Sequence, residues 1–172
     1  MPLLRSLSDD ATLADLRALY GDVLDPLGPY VHRLMRGPSP LTPAERELIA
    51  AYVSGINGCR YCYGRHSLAA RGFGVDKSVF EILLADIDLA PVEPRLKPLL
   101  HYVRRLTEAP SRLTKADADA VYEAGWSDEA LFHAIAICSL QNNVVRLVEG
   151  SGIVDTPAGS ALGADALLRY GY

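Results

Sequence analysis

Hydrophobic periodicity constrains the fold of this chain more than any other feature. Apolar residues recur at intervals of three and four along almost the whole sequence, which is the spacing of one face of an α-helix. No stretch sustains the alternation of apolar and polar residues, rich in β-branched and aromatic side chains, that a strand requires. The sequence therefore predicts an all-α fold.

The clearest helix start is Thr42-Pro43-Ala44-Glu45. Threonine is a good N-cap, proline suits the first helical position, and a glutamate three residues after the cap completes a capping box. This helix should end at Asn57-Gly58, a turn pair that tolerates left-handed backbone. A second helix is expected from about Cys59 to Arg71, so that the two form a helical hairpin.

Further helices are expected at about residues 10–21, 76–85, 93–107, 114–125 and 128–150. The last of these is apolar over much of its surface and should lie at the centre of the bundle. Between the first helix and the hairpin, several helix-breaking residues are expected to interrupt helical structure: Pro26, Gly28, Pro38 and Pro40.

The length of the chain predicts one domain. With 172 residues, of which 49% are hydrophobic and 22% charged, it can bury a core of its own. We expect a single domain over residues 1–150. Residues 151–172 are rich in glycine and small side chains and are expected to form a tail, or an arm that contacts a neighbouring subunit.

Charge and hydropathy exclude several classes of partner. The net charge of −4, without a cluster of basic residues, argues against binding to nucleic acid or to an anionic membrane. No uninterrupted apolar run approaches the roughly 20 residues of a transmembrane helix, and the first ten residues lack the apolar core of a signal peptide. A cytoplasmic location is therefore expected, where a C-x-x-C pair indicates redox chemistry or metal binding rather than a structural disulfide.

Three reactive side chains lie on one face of the second hairpin helix. Cys59, Cys62 and His66 fall at positions i, i+3 and i+7, within a strip roughly 60° wide. Free N–H groups and the helix dipole stabilise a thiolate in the first turn and lower its pKa, which favours Cys59 as the more activated thiol. The position of His66, one turn after Cys62, favours Cys62 instead.

The hairpin adds an acidic residue to this cluster. Glu47 lies 11 residues before Gly58 and His66 lies 8 residues after it, so an antiparallel return brings the two to a similar level. A carboxylate there would hold the imidazole in one tautomer and raise its basicity, and His66 would then remove or return the proton of Cys62. The spacing predicts a Glu47–His66–Cys62 relay, with Cys59 as the resolving thiol.

These residues reproduce a known signature, E-x11-C-x-x-C-x3-H. In this the chain resembles the alkyl hydroperoxidase AhpD family, within the AhpD and carboxymuconolactone decarboxylase superfamily. The similarity extends over roughly residues 20–150, and includes the Leu41–Glu47 segment and the Gly125–Glu129 segment before the last long helix. Carboxymuconolactone decarboxylases share the fold but lack the cysteine pair, so the C-x-x-C favours the AhpD branch.

The resemblance implies an AhpD-like helical bundle that forms trimers or hexamers and acts as a thiol-dependent peroxidase on hydrogen peroxide or organic hydroperoxides. It implies that Cys62 is the peroxidatic thiol, that Cys59 resolves it, and that Glu47 and His66 relay protons. An external dithiol, on a lipoyl-protein or a thioredoxin-like protein, would reduce the Cys59–Cys62 disulfide, without a metal or organic cofactor. Members of the founding type carry histidine at the position of Tyr61, which leaves the substrate preference and the rate open.

Two alternatives remain at this point. The pair could exchange disulfides without reducing peroxide. The protein could also be an oligomeric binding protein in which the same four residues, Glu47, Cys59, Cys62 and His66, hold zinc or are inert. The third cysteine, Cys138, lies in an apolar helix and is predicted to be a small buried hydrophobe.

Overall fold

The computed structural model describes residues 2–154 and 157–172, and helices dominate this part of the chain. Within it there is no strand, so the predicted all-α class is confirmed. The nine α-helices of the described residues are α1 (Leu13–Leu24), α2 (Leu27–Arg36), α3 (Pro43–Ile56), α4 (Arg60–Gly72), α5 (Lys77–Ile82), α6 (Leu96–Glu108), α7 (Lys115–Glu123), α8 (Asp128–Ser151) and α9 (Pro157–Tyr170).

Helices α3 and α4 form the predicted hairpin. The side chain of Thr42 accepts a hydrogen bond from the Glu45 N–H, and the Glu45 carboxylate accepts one from the Thr42 N–H at 2.7 Å, which confirms the capping box. Between the helices Gly58 has a φ of 71°, a left-handed conformation that glycine adopts without strain. Cys59 follows directly as the N-cap of α4, so the C-x-x-C opens the second helix of the hairpin as expected.

Helix α8 is the central helix of the bundle and packs against both α3 and α6. It has 24 residues, and an 18-residue window within it has a mean hydropathy of 1.3, which also meets the length and composition of a membrane span. Ala134, Ile137 and Cys138 are nevertheless buried against the other helices of the hydrophobic core, and a core helix meets the same two criteria. The position of α8 is therefore the one predicted from its apolar surface.

Helix α2 was not expected, because two prolines and a glycine surround its start. The structure places Pro26 at the N-cap and Gly28 and Pro29 within the first turn. N–H groups of the first turn have no partner inside the helix, so a proline there removes no hydrogen bond. Pro26 still lies in the break between α1 and α2, as expected, but Gly28 lies inside α2, so the expectation that it interrupts helical structure was wrong.

Residues 157–170 form α9, which packs along α4 of the same chain. Two glycines permit this close approach: a side chain at Gly72 would collide with Leu168, and one at Gly163 would collide with Arg65. The division into a domain ending at residue 150 and an arm remains a prediction. Most of this arm is α9, which packs against α4, the helix that begins at the C-x-x-C.

Candidate active site

Glu47 and His66 meet between the two hairpin helices. Glu47 lies on α3 and is fully buried, and its Oε2 is 2.7 Å from the Nδ1 of His66 on α4. The antiparallel return of the chain through Gly58 thus brings together two side chains that are 19 residues apart. This contact was predicted from the spacing alone and is confirmed.

The Glu47 carboxylate has two further partners, which the sequence did not indicate. Arg36, from the last turn of α2, donates from Nη2 to Oε1 at 2.6 Å. The hydroxyl of Tyr172 donates to both carboxylate oxygens, at 3.1 and 3.2 Å. A buried carboxylate requires such donors, because each unpaired lone pair would cost free energy.

These contacts keep Glu47 ionised. Burial by itself would raise the pKa of Glu47, but the hydrogen bond and charge of His66, followed by the charge of Arg36, outweigh it and lower the pKa below its ordinary value. An ionised carboxylate only accepts hydrogen bonds, so the hydrogen between the two residues belongs to His66 Nδ1. The Nε2 atom of a neutral His66 is therefore the one that can accept a proton.

Cys59 and Cys62 are buried and lie close together without a bond between their sulfurs. A hydrogen bond to Cys59 and burial raise the pKa of the Cys62 thiol, and the charge of Glu149 raises it further while Arg65 opposes this. Burial and the neighbouring Cys59 thiol thus act at Cys62 against the stabilisation of a thiolate that a helix start provides. Cys62 therefore needs a base before it can act as a nucleophile.

A cavity of about 330 Å³ lies beside this cluster. Cys62 and His66 line it, whereas Cys59 is fully buried and is not among the described lining residues. Most of the remaining wall is aliphatic and comes from α1, α2 and α8, including Leu24, Leu27, Val31, Met35, Ile137 and Leu140. Of the two thiols, Cys62 is thus the one that a molecule in the cavity can reach.

Tyr61 and Arg65 lie side by side in the cavity wall, which also contains Arg17. The Arg65 guanidinium lies 4.0 Å from the centre of the Tyr61 ring, a cation–π contact. No carboxylate of the described residues forms an ion pair with Arg65. Tyr61, at the position between the cysteines, thus lines the cavity with Arg65 against its ring.

The segment that carries this site is similar to a known protein family. Residues 22–94 match the carboxymuconolactone decarboxylase family. The chain contains a domain of this family. The family domain includes the whole hairpin, and with it Arg36, Glu47, Cys59, Cys62 and His66, whereas Tyr172 lies outside it. No curated protein gives a significant match to the chain.

Two solved structures share the fold of this family domain and extend the likeness over most of the chain. An uncharacterized peroxidase-related protein from Silicibacter sp. TM1040 is 25% identical with a TM-score of 0.78, covering 86% of this chain and 78% of its own. An uncharacterized peroxidase-related protein from Ralstonia eutropha JMP134, described as an alkylhydroperoxidase AhpD core, is 24% identical with a TM-score of 0.78 over 87% and 78%. The predicted AhpD-like fold is confirmed.

The described residues do not form the set of ligands that the zinc hypothesis requires. Within residues 2–154 and 157–172, no group of three or more histidine, cysteine, aspartate or glutamate side chains is arranged to hold a metal ion. Nδ1 of His66 and Oε2 of Glu47 are already hydrogen-bonded to each other.

Cys138 lies apart from this site, in the core. Its sulfur is 3.2 Å from the hydroxyl of Thr107, and burial raises the pKa of its thiol. Asn142, one turn later, donates to the Cys138 carbonyl and accepts from Arg146 at 2.8 Å. These polar residues of α8 form structural hydrogen bonds, so Cys138 serves as an internal control for Cys59 and Cys62.

Proposed function

We propose that this protein is a thiol-dependent peroxidase that reduces organic hydroperoxides, or hydrogen peroxide, through a Cys59–Cys62 disulfide. One arrangement carries the proposal: Cys62 and His66 line the same apolar cavity, one helical turn apart, while buried Glu47 holds the imidazole from behind. The likeness to peroxidase-related proteins supports it. The aliphatic wall favours a substrate with an apolar organic group.

In the proposed first step, Nε2 of His66 takes the proton of Cys62 when a hydroperoxide occupies the cavity. The resulting thiolate attacks the terminal oxygen of the O–O bond, which breaks to give a sulfenic acid on Cys62 and an alkoxide. His66 returns its proton to the alkoxide, which leaves as an alcohol. Glu47 stays ionised throughout and stabilises the imidazolium that forms between these two transfers.

In the second step, the Cys59 thiol condenses with the sulfenic acid, so that a disulfide forms and water leaves. An external dithiol then reduces this disulfide by thiol exchange and becomes a disulfide itself. We propose a lipoyl-protein or a thioredoxin-like protein as that reductant. A cytoplasmic homo-oligomer, trimer or hexamer, remains the prediction from the sequence.

The first test counts thiols. Reduced protein treated with one equivalent of cumene hydroperoxide is expected to lose two alkylatable thiols within the mixing time of a manual experiment. Intact mass after denaturing alkylation, followed by peptide mapping, should locate the disulfide at Cys59 and Cys62. Cys138 should remain alkylatable, because it lies in the core away from the cavity.

Survival of all three thiols would contradict the proposed function. If the same protein then reacted with a small disulfide such as oxidised lipoamide, the chain would be a dithiol–disulfide oxidoreductase without a peroxidase role. Oxidation of Cys138 at the same rate as the pair would instead indicate unselective oxidation.

The apolar cavity predicts selectivity for large substrates. Ala166 lies on α9, lines the cavity and is exposed, so Ala166→Trp narrows the cavity without disturbing the core. We expect its rate with cumene hydroperoxide to fall about tenfold, while its rate with hydrogen peroxide stays within twofold. Ala161→Trp is the matched control, because Ala161 is exposed on the same helix but does not line the cavity. Equal losses with both peroxides would contradict the assignment of this cavity to the substrate.

A further inference from the structure

Tyr172 reaches the candidate site from the short segment that follows α9. After the helix ends at Tyr170, Gly171 adopts a φ of 74°, which turns the backbone back toward α2. A Cβ at Gly171 would lie only 3.0 Å from the imidazole of His32, so both the positive φ and this close contact favour glycine there. His32 Nδ1 is 3.1 Å from the carbonyl oxygen of Tyr172 and ties the segment to α2.

The side chain of Tyr172 is fixed as well. Its ring is stacked on the His66 imidazole, with 6.1 Å between the centroids and 18° between the planes. The Arg36 guanidinium lies 5.2 Å from the centre of the same ring and also donates to the Leu167 carbonyl of α9 at 3.0 Å. Arg36 thus contacts Tyr172, α9 and Glu47 at the same time.

The hydroxyl of Tyr172 bridges the carboxylate and the imidazole. It lies 3.1 and 3.2 Å from the two oxygens of Glu47 and 3.1 Å from Nδ1 of His66. Burial and the charge of Glu47 raise the pKa of Tyr172 well above its ordinary value, so the hydroxyl keeps its hydrogen. The hydrogen points to Glu47, which leaves the oxygen, the negative end of the O–H dipole, toward Nδ1.

We propose that Tyr172 is a positioning residue that completes the Glu47–His66 pair and favours proton transfer from Cys62 to His66. The oxygen end of its dipole stabilises the positive charge that His66 gains, and its hydrogen satisfies the carboxylate that supports His66. The stacked ring restricts rotation of the imidazole, so that Nε2 stays directed away from Glu47. Tyr172 forms its hydrogen bonds with Glu47 and His66 and acts on Cys62 mainly through His66.

Four charged or titratable groups make up this arrangement around His66, and Tyr61, Arg65 and Arg17 line the same cavity. Arg36 comes from α2, Glu47 from α3, Cys62 from α4 and Tyr172 from the segment after α9. The hydrogen bond and charge of His66 and the charge of Arg36 hold the pKa of Glu47 below its ordinary value. A change in the pH profile of the Tyr172 variant below therefore reports on His66 and the thiols.

The experiment compares Tyr172→Phe with the wild type. Phenylalanine keeps the ring, and with it the stacking and the contact with Arg36, but removes the hydroxyl. The rate at which iodoacetamide alkylates Cys62 at pH 7, measured by mass spectrometry, is expected to fall about tenfold, as for loss of one charge-assisted hydrogen bond. The pH midpoint of this alkylation should rise by about one unit, because a tenfold factor corresponds to one unit of pH.

Tyr170→Phe is the matched control, since Tyr170 is 78% exposed two residues earlier. It should leave the alkylation rate, the midpoint and the melting temperature unchanged. For Tyr172→Phe, the ¹⁵N shifts of His66 should show a smaller share of the Nδ1–H tautomer than in the wild type, while the far-UV circular dichroism is retained. A purely structural role for Tyr172 would lower the melting temperature without moving the tautomer or the midpoint.

The inference rests on the proposed function only for its consequence in turnover, and the two can fail separately. If the wild type does not reduce peroxide but Tyr172→Phe still shifts the alkylation midpoint, the proposed function fails and the role of Tyr172 stands. If the wild type reduces peroxide and Tyr172→Phe matches it in midpoint, tautomer and turnover, the role of Tyr172 is overturned. A faster alkylation in Tyr172→Phe would overturn it as well.

Discussion

Replacing Cys62 with serine is expected to lower the rate of peroxide reduction at least about a thousandfold. Cys62 is the thiol that lines the cavity, next to a histidine whose Nδ1 is held by a carboxylate. A serine hydroxyl has nearly the same shape, but it does not form a sulfenic acid and does not close a disulfide. Turnover with cumene hydroperoxide and dithiothreitol, followed by the loss of peroxide, measures the effect.

The other cysteines provide the controls for this variant. Cys59→Ser should still consume one equivalent of peroxide and accumulate a sulfenic acid on Cys62, which dimedone would trap, but it should not cycle through an intramolecular disulfide. Cys138→Ser should keep the wild-type rate, because the Cys138 thiol lies in the core, hydrogen-bonded to the hydroxyl of Thr107. If Cys59→Ser lost the first equivalent while Cys62→Ser retained it, the two roles would be reversed.

Replacing Glu47 with glutamine is expected to have the second largest effect, on both activity and stability. The amide keeps the shape of the carboxylate but loses the charge that supports an imidazolium at His66, so turnover should fall about a hundredfold. It also leaves the Arg36 guanidinium, whose side chain is only 13% exposed, without its counter-charge. The free energy of unfolding should therefore fall by about 3 kcal/mol, the usual cost of breaking a buried ion pair from one side.

Glu81→Gln is the matched control for Glu47→Gln. Glu81 also pairs with a basic side chain, Lys77, but both are largely exposed, so the free energy of unfolding should change by less than about 0.5 kcal/mol. Urea unfolding and steady-state kinetics on both variants make the comparison. Wild-type turnover in Glu47→Gln at a pH where it remains folded would rule out the relay.

The same carboxylate makes the stability of the protein depend on pH. Because its folded-state pKa lies below its ordinary value of 4.5, Glu47 binds a proton more weakly in the folded protein than in the unfolded chain. Its contribution is complete above that ordinary value and is lost as the pH falls through the folded-state pKa. Part of the acid destabilisation of the wild type should therefore be absent in Glu47→Gln, as urea unfolding between pH 7 and pH 3 would measure.

Much of the hairpin could be predicted because its signals are local. The capping box at Thr42, the turn at Gly58 and the helical spacing of Cys59, Cys62 and His66 each depend on residues close in sequence. Two antiparallel helices of known rise then place Glu47 level with His66 without further information. The contact at 2.7 Å follows from this simple geometry.

The rest of the site depends on tertiary packing and left no local signal. Tyr172 is 106 residues from His66 and 125 from Glu47, and it reaches them only because α9 packs on α4. Arg36 lies on α2, a helix that was not predicted because of its prolines. These prolines occupy the start of the helix, where proline costs no hydrogen bond. The pKa of Cys62 depends on burial and on a neighbouring thiol, which the helix position alone does not include.

The convergence of α2, α3, α4 and α9 on one buried carboxylate has an evolutionary consequence. A substitution at Arg36, His66 or Tyr172 leaves Glu47 short of a donor, and a substitution at Glu47 leaves a buried cation without its partner. Each of these four positions is therefore constrained by the other three, so that a tolerated change replaces one donor by another or is compensated at a second position. Two descendants with the same cysteine motif can still differ in how they handle protons, according to which donor took the place of the tyrosine.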